Sequence, residues 1–269
     1  MITSTSNSRI KEARKLQRRR QRYLAGELLL EGVRLIGDAW QAQVRPNVVF
    51  FAPDMIQGNP SANQLLLELG RADVETVACT EEVFVTLSET VSPQGIAAVV
   101  PLPQLAVPAE PSLTLVLDQV RDPGNAGSLL RSAAAAGVGL VIFGPGAVDP
   151  FNDKVVRAAM GAHFRVPLRS CANWLDVESQ LGHQDRLFVA LADATASYDS
   201  VDWREPASLV VGGEADGPSM VARQSARSIS IPMMHGVESL NAAIAGSIIL
   251  FEIARQRRAA STFRPKQEG

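Results

Sequence analysis

Apolar residues along the chain gather into short runs separated by amphipathic stretches of helical spacing, and this alternation predicts strands and helices taking turns. In the front part, strands are predicted at Glu27–Leu30, Asn47–Phe51, Asp73–Val77 and Ile96–Val100, with helices at Val33–Ala42 and Ala62–Leu69. This pattern describes a small α/β sandwich over residues 1–100. Pro101, Pro103, Pro108 and Pro111 then break helical periodicity, which predicts a semi-extended linker over residues 101–112. From residue 113 to 269 the alternation resumes on a larger scale. Leu113–Leu117, Leu140–Phe143, Leu187–Leu191, Leu209–Val211 and Ile229–Ile231 are short and mostly apolar, as strands covered on both faces must be. Helices are expected at Ala126–Ala136, at Lys154–Met160 behind an Asn-Asp cap, and at Leu240–Arg258. Ser239 would cap the last helix, and Arg255, Arg257 and Arg258 would complement its negative C-terminal end. The expected fold class is α/β, with an open parallel sheet in the rear domain.

Composition changes the picture little. With 269 residues, 46% of them hydrophobic, the chain can bury two modest cores. Its longest apolar runs, such as Leu28–Leu30 and Ile248–Phe251, fall far short of the roughly 20 residues a membrane span needs. No membrane partner is expected. The N-terminal charges lack a following apolar core, so no signal peptide is expected, and Cys79 and Cys171 alone fit structural thiols in a reducing cytoplasm. His163, His183 and His235 lack the helical or Cys-x-x-Cys company of a metal site, so none is expected.

Charge changes it more. The net charge is −2, yet Arg9, Lys11, Arg14, Lys15, Arg18, Arg19, Arg20 and Arg22 crowd the first 22 residues against Glu12 alone. A basic segment on an otherwise acidic chain suits local contact with phosphates, and it equally suits a solvated flexible arm. Arg9, Lys11, Arg14, Arg18 and Arg22 are the candidate phosphate contacts.

In open α/β sheets ligands gather at the carboxyl ends of strands. Three loops there carry polar groups and glycines: Asp118–Gly127 leading to Arg131, Gly212–Gly217, and Ile231–Asn241. Neither Gly-x-Gly-x-x-Gly, nor a P-loop, nor Gly-x-Ser-x-Gly is present, which argues against a dinucleotide oxidoreductase, a P-loop enzyme and an α/β hydrolase.

Taken in order, the three loops resemble the signature motifs of the SpoU/TrmH family of SPOUT methyltransferases. These are Asn125-x-Gly127-x-x-x-Arg131, Gly212-x-Glu214, and Ile231-Pro232-Met233 followed by Ser239-Leu240-Asn241. Lys154–Arg157 through Met160-Gly161 is similar to a further family stretch. Leu30–Arg34 and Ser92–Gly95 resemble the ribosomal-protein-like substrate-binding domain that precedes many of these enzymes. The resemblance implies a trefoil knot in the rear domain and a bent S-adenosylmethionine held by Leu191, Ala192, Gly212, Gly213, Ile231, Met233 and Leu240. It implies methyl transfer to a ribose 2′-OH of RNA, ribosomal RNA more readily than tRNA. Asn125, Arg131, Glu214, Ser239 and Asn241 are the catalytic candidates. A guanidinium is essentially never deprotonated, so Arg131 is read as binding phosphate and stabilising a developing alkoxide. Gly212 and Gly213 let backbone approach a ligand, or serve ordinary turns. Gly213, Ala215 and Ala159 depart from residues common in the family.

The family typically dimerises through the knotted domain. Ile244, Ile248, Ile249, Leu250, Phe251 and Ile253 cover more than one face of the last helix, which suits either a homodimer contact or deep burial within one subunit. Two other functions remain open at this level: a non-catalytic RNA-binding protein with a decayed enzyme domain, and a base methyltransferase of the same fold. Asn125, Arg131, Ser239 and Asn241 argue against the first, and the Ser-Leu-Asn motif against the second.

Overall fold

The computed structural model describes residues 1–214 and 216–262. The chain divides into two compact units, Met1–Pro103 and Gln104–Gly269, the break falling inside the predicted linker. Among the described residues no helix is long and apolar enough to cross a membrane.

The front unit runs α1 (Ser8–Lys15), α2 (Arg19–Ala25), β1 (Glu27–Glu31), α3 (Val33–Gln41), β2 (Val48–Phe51), α4 (Pro53–Ile56), α5 (Pro60–Arg71), β3 (Thr76–Ala78), α6 (Glu81–Val85) and β4 (Ile96–Pro101). Its sheet has the order β1-β4-β2-β3, with β2 and β3 parallel and the other pairs antiparallel. Strand alternation turns Phe50, Ala97 and Val99 to one face, where they pack with Ile10, Ala13 and Leu16 of α1 and with Val83 and Phe84 of α6. On this point the flexible-arm reading of the basic segment is overturned. The spacing of Ile10, Ala13 and Leu16 gives α1 an apolar stripe, and Asn7 caps the helix by accepting from the Arg9 amide at 3.0 Å. Pro101 ends β4, opposite Glu27, where a missing amide costs least. Helix α5 starts earlier than predicted because Asn59 accepts from the Ala62 amide and Pro60 occupies the first turn.

The rear unit runs β5 (Leu113–Asp118), α7 (Pro123–Ala136), β6 (Leu140–Phe143), α8 (Asp153–Ala159), β7 (Leu168–Ser170), α9 (Trp174–Gln180), β8 (Leu187–Ala190), β9 (Ala207–Gly212), α10 (Met220–Ser225), β10 (Arg227–Ile229) and α11 (Ala242–Thr262). All five strand pairs are parallel, in the order β10-β8-β9-β5-β6-β7. Leu115, Leu117, Leu209 and Val211 face α7, α8 and α11, whose Leu129, Val155 and Ile249 complete one core. Val116, Ile142, Val189 and Val210 face α9 and α10 through Trp174, Val177 and Ala222. Both faces of the sheet's inner part are therefore covered, which is why β5, β6, β8 and β9 read as mostly apolar runs.

In the rear unit β7, α9 and α10 have no counterpart in the sequence reading, as α1, α2, α4 and α6 have none in the front unit. Of these, β7 is a three-residue edge strand, Leu-Arg-Ser, with no apolar run to mark it. Strand β10 ends at Ile229, two residues before the predicted end, and the released segment builds the site described below. The cap of the last helix also differs. Asn241, not Ser239, holds it, its Oδ1 accepting from the amides of Ala243 at 2.9 Å and Ile244 at 3.1 Å. Arg257 does not serve the helix end either. It reaches sideways, donating to the carbonyls of Trp203, at 2.9 Å, and Ser112, at 2.7 Å.

Candidate active site

A cleft of about 480 Å³ opens at the carboxyl ends of β8, β9 and β10. Its walls are the segments 190–193, 212–218 and 229–242, each following one of these strands. Leu191, Ala192, Gly212, Gly213, Ile231, Met233 and Leu240 all line it, together with Glu214, Ser239 and Asn241. Residues far apart in sequence thus meet because three parallel strands end side by side.

The polar centre is Asn241. Its Nδ2 donates to Asn125 Oδ1 at 2.9 Å and to Glu214 Oε1, while its Oδ1 caps α11. One amide therefore ties all three signature loops together. Asn125 is set by the start of α7, where Pro123 opens the helix and Asp122 accepts from the Asn125 amide at 2.7 Å. Arg131 stands further along α7. It is exposed, lies outside the cleft lining, and among the described residues makes no hydrogen bond or ion pair.

The two glycines of the second loop also answer a demand from neighbouring backbone. A Cβ on Gly212 would stand 2.1 Å from the Pro218 nitrogen, and one on Gly213 would stand 2.3 Å from the Gln119 carbonyl oxygen. Backbone presses on backbone here. Any side chain would force these backbones apart, so the polar residue common in the family at 213 has no room here. Ala215 lies outside the described residues, and Ala159 is fully buried at the end of α8.

Asp118, Asp193, Pro218 and Arg223 belong to this region and were given no role from sequence. Asp118 ends β5 wholly buried, its Oδ2 accepting from the Ser219 amide at 2.6 Å and its carbonyl from the Gly213 amide at 3.1 Å. It pins both ends of the 213–219 loop. The signal was a carboxylate closing a mostly apolar run. Asp193 and Arg223 line the cleft, and nothing in their local sequence marks them.

Among the described residues no histidine lines the cleft. His163 is buried elsewhere, its ring Nε2 2.7 Å from the Pro150 carbonyl, and burial pushes its pKa down to about 4. Burial likewise lifts the Cys79 thiol to about 11, so it stays an unreactive core group.

Of the basic candidates in the front unit, Arg22 is corrected. It is only 4% exposed and donates to the carbonyls of Leu16 and Gln17, tying the turn between α1 and α2. It cannot meet RNA without undoing that turn. Arg9 pairs with Glu75, and Lys11, Arg14 and Arg18 stand exposed.

Residues 112–251 match the SpoU rRNA Methylase family, and residues 7–98 match the MRM3-like substrate binding domain. The chain belongs to the SpoU rRNA methylase family. Every cleft residue, and Asn125 and Arg131 with them, falls within the span matched to the methylase. Among relatives, a tRNA/rRNA methyltransferase of Synechocystis, itself described as uncharacterized, is 34% identical over 97% of this chain and 96% of its own. The 23S rRNA (guanosine(2553)-2′-O)-methyltransferase RlmP of Bacillus subtilis is 29% identical over 94% of this chain and 98% of its own. The SpoU methyltransferase AviRb of Streptomyces viridochromogenes, solved with AdoMet, superposes with a TM-score of 0.83 at 27% identity, covering 94% of this chain and 99% of that one.

Proposed function

We propose that this protein is an S-adenosylmethionine-dependent methyltransferase acting on the ribose 2′-OH of ribosomal RNA. The observation that carries the reading is the Asn125–Asn241–Glu214 cluster at a cleft built from the three signature loops of a SpoU methylase. The cleft suits the cofactor in size and charge. Its volume is in the range of small-ligand sites, and its two carboxylates, Asp193 and Glu214, suit a ligand bearing a sulfonium and an ammonium. When bound, the cofactor supplies a methyl group activated by positive sulfur.

The protein's own groups do the rest. Leu191, Ile231, Met233 and Leu240 give the cofactor apolar cover, and the loop backbones offer amides and carbonyls. Asn241, fixed by its hydrogen bonds on both sides, holds Asn125 and Glu214 in one geometry, and such positioning can supply much of the rate of an in-line transfer. The Arg131 guanidinium binds the RNA phosphate and stabilises the developing alkoxide, and the hydroxyl proton passes to water.

RNA as substrate class is supported by the RlmP relative and by the substrate-binding match of the front unit. The test is transfer of labelled methyl to ribosomal RNA and to tRNA, followed by nucleoside mass spectrometry. Base-labelled product, or none with either RNA, would overturn the reading. A cytoplasmic location is part of the proposal, supported by two free thiols. So is the trefoil knot. Pulling the rear unit from both ends should then stop short of the full contour length, and complete extension would rule the knot out.

Lys11, Arg14 and Arg18 are proposed to bind phosphates. Replacing all three by Gln should weaken RNA binding and flatten its salt dependence, the log–log slope falling by about 0.7 to 0.9 for each phosphate that is no longer neutralised. Unchanged slopes would remove the basic helices from the interface. Deleting residues 1–22 is not a usable test, because α1 belongs to the core.

We further propose a homodimer through α11. Ile249, Leu250 and Ile253 are fully buried within one subunit, but Ile244 and Phe251 remain 54% and 46% exposed, with Ile248 half-buried between them. These three recur at helical spacing along one outer face. Light scattering should return about twice 28.8 kDa, and Phe251→Arg should return the single mass. A wild-type mass near 28.8 kDa would end the dimer proposal.

A further inference from the structure

Arg223 is the one cation among the described residues lining the cleft, and neither the apolar cover nor the Asn125–Asn241–Glu214 cluster uses it. Its guanidinium is placed with some care. Nε donates to the Pro218 carbonyl at 3.1 Å, and Nη2 lies 2.9 Å from where a Cβ on Gly217 would sit. Gly217, at φ +66°, is bonded through its amide to the Gly213 carbonyl at 3.0 Å, closing the turn that carries Glu214. The arginine therefore rests over a glycine that leaves it room. One N–H is spent on the turn, and the terminal donors remain for a ligand.

We propose that Arg223 reads the carboxylate of the cofactor's amino-acid tail. The inference rests on S-adenosylmethionine as the cofactor, and the charges match in number and sign. The cofactor carries two cationic groups and one anionic group, and among the described residues the cleft offers two carboxylates and one guanidinium. A carboxylate is the group whose planar pair of oxygens a guanidinium fork binds best. In this arrangement Asp193 and Glu214 face the cationic part of the ligand, and Arg223 rejects ligands that lack the acid. It touches the cofactor and no RNA, so it is a specificity residue for binding.

Calorimetric titration tests this with two ligands, S-adenosylmethionine and its decarboxylated analogue, which keeps the sulfonium and the amine. Wild-type protein should prefer S-adenosylmethionine. Arg223→Gln should weaken S-adenosylmethionine by about tenfold or more while leaving the analogue's affinity unchanged, so the preference disappears. Arg223→Lys, which keeps charge but not the fork, should fall between. Unchanged binding of the analogue also reports that the variant's cleft is intact. Equal weakening of both ligands would overturn the proposal and make Arg223 a strut of the 217–218 turn. Equal affinity of wild type and variant for S-adenosylmethionine would overturn it too. Failure of wild-type protein to bind either ligand would instead count against the cofactor itself.

Discussion

Arg131→Ala is expected to lower kcat/KM for RNA by about a hundredfold to a thousandfold while cofactor affinity stays within about twofold. The size follows from removing one charged donor from a transition state that develops negative charge on oxygen. The split follows from geometry, because Arg131 is exposed on α7 and absent from the lining of its own cleft. Helix α7 packs against α11 through Ser132 and Ser247, whose hydroxyls are 2.7 Å apart, and α11 carries the proposed dimer face. We propose that in the homodimer Arg131 serves the cleft of the second copy. Mixing two inactive variants, Arg131→Ala and Asn241→Asp, then regenerates one intact site per mixed dimer and restores part of the activity. Near wild-type turnover by Arg131→Ala would remove the residue from the mechanism, and no recovery in the mixture would place it in its own subunit's site.

The second large effect is expected at Asn241, where capping and chemistry can be separated. Asn241→Asp keeps an acceptor for the amides of Ala243 and Ile244 and adds a charge favoured at a helix N-terminus. It replaces the Nδ2 donor by an oxygen, so three acceptors then face one another where Asn125 Oδ1, residue 241 and Glu214 Oε1 meet. The melting temperature should stay within a few degrees of wild type, and methyl transfer should fall by about a hundredfold. Asn241→Ala loses both functions and should also lose about 1 kcal/mol of stability. Chemical denaturation and methyl-transfer rates on the three proteins measure this directly. An Asp variant that turns over normally would show that the amide's donor is dispensable and that the residue serves only as a cap.

Much of this molecule was legible because the four inner strands of the rear sheet are covered on both faces. Burial on both sides leaves runs such as Leu113–Leu117 and Leu140–Phe143 almost without polar positions, and such runs stand out in a sequence. Residue chemistry also marked the loops, since Asn, Glu, Ser and Gly cluster where strands end. Elements that bury little, such as β7, left no such trace. The basic segment misled for a related reason. Its charges dominate the composition, while the apolar residues that hold it to the core, Ile10, Ala13 and Leu16, are only three.

Sequence by itself therefore determined the α/β class, the division into two units' worth of apolar pattern, and which loops meet at the cleft. These depend on local periodicity and residue type, which survive in one dimension. The tertiary structure decided which atoms of those loops meet. Asn241 became helix cap and hub at once, Gly212 and Gly213 proved to be demanded by neighbouring backbone, Arg22 turned inward, and Arg223 reached the cleft from α10. Each of these depends on which strand lies beside which, and β8, β9 and β10 adjoin in an order that differs from the order of the chain. Spacing along the chain carries no record of that order, because it is fixed by the packing of both sheet faces together.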